Sequence, residues 1–197
     1  MNEFIYTRLS QSNMAKEAFA KESSHKVLQL AEEIVSTFAR GGKVLIFGNG
    51  GSAADAQHVA AEFVNRFLLN RRPLPAIALS TDTSILTAIG NDFSYEMVFT
   101  KQIQALGKPE DLAWGLTTSG TSPNVVQALA EAKKIGLTTV ALTGGTIVPK
   151  DGVHSHCDMV LNVPSNYTPR IQEAHLWIEH LVCEIVEKMM FGRWGDE

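Results

Sequence analysis

Five short apolar runs, at residues 43–47, 75–79, 112–117, 138–142 and 159–163, alternate with stretches of helical periodicity around 83–90, 96–106 and 123–134. Apolar runs that lack polar alternation belong to strands buried on both faces. Strands alternating with helices need crossover connections, which give a mainly parallel sheet covered on each side. The sequence therefore predicts an α/β fold: a three-layer α/β/α sandwich around a mainly parallel five-stranded sheet, with extra N-terminal helices. Residues 2–38 carry a helical pattern that includes Phe4, Leu9, Phe19, Leu30, Ile34 and Phe38 and stops at Gly41-Gly42; a break near residues 22–24 would divide it into two helices. After Pro164, a stripe of Ile171, Ile178, Val182, Ile185 and Val186 marks a last helix running to about Met190. Ser122 before Pro123 reads as a helix start with the hydroxyl as cap, and Gly136 is placed for the left-handed residue that ends that helix. With no repeat or linker, residues 1–197 read as one domain on which 1–40 packs.

A chain of 197 residues, 45% hydrophobic and 19% charged, has ample material for one core. The net charge of -4, with Lys and Arg scattered apart from Arg71-Arg72, leaves no footprint for nucleic acid. No apolar run approaches a membrane span, and Asn2, Glu3 and Arg8 do not open a signal peptide, so a cytoplasmic protein with a small-molecule partner is expected. Cys157 and Cys183 lack C-x-x-C spacing and read as inert thiols.

Ligands of open α/β sheets bind outside the carboxyl ends of the strands. Three segments qualify. Residues 48–52, Gly-Asn-Gly-Gly-Ser, match the start of a dinucleotide fingerprint through Gly48, Gly50 and Ala53. The acidic residue that should follow about twenty positions on is missing, since Asp82 comes too late, and no nucleotide cofactor is expected. Residues 117–122, Thr-Thr-Ser-Gly-Thr-Ser, set hydroxyls and a flexible glycine between a strand and a helix N-terminus, which suits a phosphate dianion as well as an ordinary cap. Gly90-Asn91-Asp92 follows a helical stretch and is explained equally by turn chemistry.

On the helix after the first glycine loop, His58 and Glu62 stand one turn apart on one face, an imidazole beside a carboxylate. Such a pair is often only a surface contact, but this one must border the ligand crevice. Gln172 and His180 on the last helix are eight residues apart, roughly 12 Å along the axis, so their side chains meet only around a ligand or metal between them. His175 and Glu179, also at i, i+4, read as a structural or interface pair.

At these residues the chain resembles the sugar isomerase (SIS) domain proteins, and within them the phosphoheptose isomerases. The resemblance runs from the N-terminal helices through residues 48–52, His58-x-x-x-Glu62, 90–92, 117–122 and Arg170-Ile-Gln-Glu-x-His175. It implies a flavodoxin-like sheet and interconversion of sedoheptulose 7-phosphate with D-glycero-D-manno-heptose 7-phosphate, for the heptose of bacterial surface glycans. It also implies a homotetramer with sites between subunits and one zinc per subunit on His58, Glu62, Gln172 and His180. The 7-phosphate would lie on Ser119 and Ser122 with Thr117 and Thr118 nearby. Asn49, Gly50, Gly51, Ser52, Glu62, Arg66, Asn91, Asp92 and Gln172 would border the sugar. Thr117, Thr121 and Pro169 depart from residues common in relatives. A related regulator that binds the replication initiator DnaA shares the fold and the Arg-Ile-Gln-Glu segment, but it lacks counterparts of Glu62 and His180, so the enzyme is the better reading.

Aldose–ketose isomerisation moves a proton between adjacent carbons through an enediol, and it needs a base near those carbons and an acid for the oxygens. Glu62 is the expected base and His180 its acid/base partner. Zinc on Glu62 would weaken it as a base, yet would stabilise an enediolate as a Lewis acid, and the sequence leaves both readings open.

Overall fold

The computed structural model describes residues 1–192; the single-domain expectation over 1–197 extends to residues 193–197, which lie outside the described residues. The strands are β1 (Val44–Gly48), β2 (Ala76–Ala78), β3 (Leu112–Thr117), β4 (Thr138–Gly144) and β5 (Met159–Val163), all parallel and in the order β2-β1-β3-β4-β5. Every residue of β1 and β3 is buried, which is why both read as continuous apolar runs. At the edge, β2 is shorter than its run suggests. Pro75 has no N–H to add to the ladder, although its carbonyl accepts the Val44 N–H.

The helices are α1 (Asn2–Ala39), α2 (Gly51–Val64), α3 (Thr83–Asp92), α4 (Thr100–Leu106), α5 (Pro123–Ile135) and α6 (Thr168–Phe191). On one face of the sheet α1, α2 and α6 bury Phe19, Ile34, Phe63 and Ile178 against Trp114. On the other, α4 and α5 bury Phe99, Ile103 and Leu129 against Phe47. The N-terminal segment is one continuous helix, not two: residues 22–24 include neither Gly nor Pro, and Ser23 is buried within it. Gly90, Asn91 and Asp92 form the last turn of α3 rather than a loop. Residues 96–106 divide into a 3-10 turn, Tyr95–Met97, and α4. Gly136 does end α5 at φ 100°, but Ser122 does not cap it, because its hydroxyl turns instead to the Thr117 hydroxyl at 2.9 Å. Pro169 falls in the first turn of α6, where its missing N–H costs nothing.

One polar clamp holds the strap between α2 and β2. The buried Glu187 carboxylate on α6 accepts the N–H groups of Phe67, Leu68 and Leu69 at 3.0, 2.7 and 2.7 Å, and pairs with Arg71 Nε at 2.9 Å. Arg71 in turn donates to the carbonyls of Phe63 and Glu62, both at 2.8 Å. Burial alone would raise the Glu187 pKa; the three N–H groups and Arg71 outweigh it and hold the carboxyl below its ordinary value. A carboxylate depressed in the folded state stabilises above its unfolded pKa and loses that contribution as pH falls through the folded one. Unfolding of the wild type against pH should therefore show stability dropping on acidification below the ordinary value of 4.5. In Glu187→Gln that part of the acid sensitivity should vanish, with neutral-pH stability lower by about 3–5 kcal/mol, because Arg71 is left buried without its partner.

Candidate active site

In this strand order the direction of winding reverses between β1 and β3, so α2 leaves β1 to one face and α5 leaves β3 to the other. A crevice opens at that switch point, outside the carboxyl ends of the strands. Residues 48–52 and 117–122, the two segments singled out in the sequence, follow the two strands that flank it.

The 48–52 loop turns on Gly50, whose φ of 56° suits glycine. Gly51 begins α2 with the Gln172 amide of α6 directly against its Cα, and a Cβ there would collide with that amide. Ser52 is buried. Across the crevice, Thr117 Oγ1 lies 2.9 Å from Ser122 Oγ and 3.5 Å from Ser119 Oγ, while the Thr121 N–H donates to Ser119 Oγ at 3.2 Å. Gly120, at φ 70°, lets this loop turn back on itself. Thr118 and Ser119 open into a cavity of about 250 Å³ closed by Gly144, Gly145 and the segment after β5, Ser165, Asn166 and Thr168. Those last three residues were missed in the sequence. Their signal was present: a Ser-Asn-x-Thr run following a strand at the ligand end of the sheet.

Further along α2 and α6 the second group converges. The two helices run parallel, so as Gln172 meets Gly51, His180 meets His58. The imidazoles touch Nε2 to Nε2 at 2.8 Å, and His58 Nε2 is 3.6 Å from Glu62 Oε1. The Phe67 ring, carried by the Glu187 clamp, packs 5.6 Å from that of His180. Gln172 makes no hydrogen bond to this trio in the described chain, since the offset between Gln172 and His180 keeps its amide at the other end of the seam. Asn91 and Asp92 are exposed on α3 and bonded to each other at 2.8 Å; nearby Tyr95 donates to Asn49 Oδ1 at 3.2 Å. Arg66 is exposed on the strap.

Among the described residues no group of three or more His, Cys, Asp and Glu side chains has the spacing of a formed metal site. Two nitrogens on one tetrahedral zinc, each at about 2.0–2.1 Å from it, stand about 3.3 Å apart, so the imidazole contact is a hydrogen bond between an Nε2–H and a bare Nε2. By donor type alone, two imidazoles and a carboxylate are groups that zinc takes.

His175 and Glu179 lie in the core beneath this seam. His175 Nε2 contacts the Thr143 carbonyl at 3.1 Å, and burial lowers its pKa to about 4, which keeps the ring neutral. Glu179 is fully buried and has no hydrogen-bond partner among the described residues; burial first, and Asp55 second, push its pKa well above the ordinary value. Burial likewise pushes the Cys157 thiol up to about 12 and the Cys183 thiol upward, so neither is a nucleophile at neutral pH.

A parallel five-stranded sandwich with a hydroxyl-lined loop at its switch point is the frame of a SIS domain protein, and residues 9–144 match the SIS domain family. Within it, the chain belongs to the phosphoheptose isomerase family. It is 47% identical to the phosphoheptose isomerase of Clostridium acetobutylicum over 100% of both chains. It is 55% identical to that of Roseiflexus sp. over 84% of this chain and 82% of the relative. The solved structure of the phosphoheptose isomerase from Neisseria gonorrhoeae superimposes with a TM-score of 0.87 at 39% identity, covering 95% of this chain and 98% of that one. These relatives carry the enzyme's name, and they favour it over the DnaA-binding regulator.

Proposed function

We propose that this chain interconverts sedoheptulose 7-phosphate and D-glycero-D-manno-heptose 7-phosphate, serving heptose synthesis for bacterial surface glycans. The observation that carries the reading is the pairing of two features along one seam: a cavity lined by Thr118, Ser119 and Thr168 at the head of α6, and His58, Glu62 and His180 further along. His58 lies seven residues beyond Gly51, about 10 Å along α2. An extended seven-carbon sugar phosphate is of the same order in length, so a phosphate anchored at 117–122 leaves the carbonyl end beside the trio.

Ser119 and Ser122 hold the phosphate, helped by Thr117, Thr118 and the N–H groups at the start of α5, where the helix dipole favours an anion. Asn49, Gly50, Gly51, Ser52, Gln172, Arg66, Asn91 and Asp92 border the sugar. Glu62 takes the proton from the carbon beside the carbonyl, and His180 exchanges a proton with the oxygens as the enediol forms and collapses. His58, Glu62 and His180 would hold zinc; Gln172, the fourth ligand that the resemblance implies, sits against Gly51 at the other end of the seam and is not brought to them within the described chain. When bound, the metal supplies Lewis acidity toward an oxygen carrying negative charge. The protein acts in the cytoplasm; no helix among the described residues is long and apolar enough to cross a membrane. A homotetramer with shared sites is supported by apolar side chains left exposed on the first turns of α1, Phe4, Ile5, Leu9 and Met14, and around α3, Ile85, Phe93 and Tyr95.

The direct test is incubation with sedoheptulose 7-phosphate, following aldose formation. Glu62→Gln should lower turnover by about two to four orders of magnitude while melting temperature and oligomer size hold; His180→Gln should do the same, and the pair together should cost much less than the sum of the two. Near-normal turnover in folded Glu62→Gln would give the base role to another group. Replacing Ser119 and Ser122 together by Ala should weaken inorganic phosphate in calorimetry by about 1.5–3 kcal/mol for each charge-assisted bond lost; unaltered affinity would remove phosphate from that loop. Elemental analysis should find one zinc per chain, and a chelator should lower the melting temperature of the wild type but not of His58→Ala/His180→Ala. Acidification should release the metal as the imidazoles take up protons.

A further inference from the structure

Asn124, in the first turn of α5, is buried to 3% exposure and belongs to none of the groups assigned above. Its carboxamide forms a reciprocal pair with that of Asn49 across the crevice: Asn49 Nδ2 donates to Asn124 Oδ1 at 2.8 Å, and Asn124 Nδ2 donates to Asn49 Oδ1 at 2.8 Å. Asn124 Oδ1 also accepts the Val125 backbone N–H at 3.0 Å. That contact decides which end of the Asn124 amide is oxygen, since a backbone N–H can only donate. The reciprocal pair passes the choice on to Asn49, whose oxygen must face Asn124 and whose nitrogen keeps one N–H with no protein partner among the described residues. Tyr95 donates to the same Asn49 oxygen and agrees with this orientation. Asn49 is thus tied from α5 although it belongs to the loop after β1.

We propose that Asn124 is a positioning residue: by locking the Asn49 carboxamide across the switch point, it aims the free Asn49 N–H at an oxygen of the bound sugar. The role rests on the isomerase reading. A hydrogen bond supplied by Asn49 is useful only in one direction, and without Asn124 its carboxamide is free to turn over or swing away. Removing Asn124 does not orphan the helix backbone, because the Val125 N–H also reaches the Ser122 carbonyl at 3.0 Å. The fold should therefore survive truncation.

The test compares Asn124→Ala, Asn49→Ala and the double variant with wild type for kcat and KM on sedoheptulose 7-phosphate, for inhibition by inorganic phosphate, and for melting temperature. Asn124→Ala should lower kcat about 10- to 100-fold, the scale of a misaligned contact at a reacting centre. Phosphate inhibition should stay within about twofold, and the double variant should be no worse than Asn49→Ala by more than about twofold, since one residue acts through the other. Asn124→Ser, smaller but polar, replaces the alanine variant if that fails to fold. In an active wild type, near-normal kcat in Asn124→Ala overturns the role and leaves the isomerase reading intact. So does a double variant showing the product of the two single losses, a parallel weakening of phosphate inhibition, or loss of fold in both Asn124 variants. An inactive wild type ends the isomerase reading, and the positioning role falls with it.

Discussion

Everything at the ligand end of this molecule depends on the reversal of strand order between β1 and β3. Two neighbouring parallel strands send their helices to opposite faces, and the loops that follow them are forced apart. The backbone N–H groups of both helix starts then face one opening instead of the sheet. Neither loop would make a site alone. The glycine loop lacks the acidic partner of a dinucleotide site, and the Thr/Ser loop spends part of its hydroxyl capacity on itself through Thr117, Ser119 and Ser122. At the switch point the two are tied together by the Asn49–Asn124 pair.

The second constraint is the parallel alignment of α2 and α6. Similar steps along parallel helices, seven residues on α2 and eight on α6, keep facing residues together, so contact between Gly51 and Gln172 is followed about two turns later by contact between His58 and His180. The Gly51 position leaves no room for a Cβ, which lets the helices approach at the head of the seam. At its foot, Glu187 gathers three backbone N–H groups and Arg71 and draws the strap against α6. A charge buried there is tolerable because its lone pairs are used by fixed donors. The same strap carries Phe67 onto His180.

Several features were legible in the chain itself: the five strands and their layering, the end of α5 at Gly136, the i, i+4 pairing of His58 with Glu62, and the hydroxyl character of residues 117–122. All are local properties, set by side-chain periodicity, backbone freedom at glycine, or residue spacing over one or two turns. Where two local readings had similar energies, the sequence misled or stayed open. The Ser122 hydroxyl chose Thr117 over its own helix, the long N-terminal helix ran unbroken through residues 22–24, and residues 90–92 closed a helix instead of forming a turn.

Tertiary structure alone decided the rest. His58 and His180 are 122 positions apart in the chain, and Asn49 and Asn124 are 75 apart. No periodicity links positions so distant; their contact follows from the order in which strands pair and from the direction in which α6 returns over α2. The sequence by itself determined which residues form the strands, helices and hydroxyl loop, because those choices depend on near neighbours. Only the packed fold determined that Gln172 lies at Gly51 while His180 lies at His58, and that Asn124 orients Asn49. Such contacts depend on how separate elements are placed in three dimensions, and burial of the shared core sets that placement.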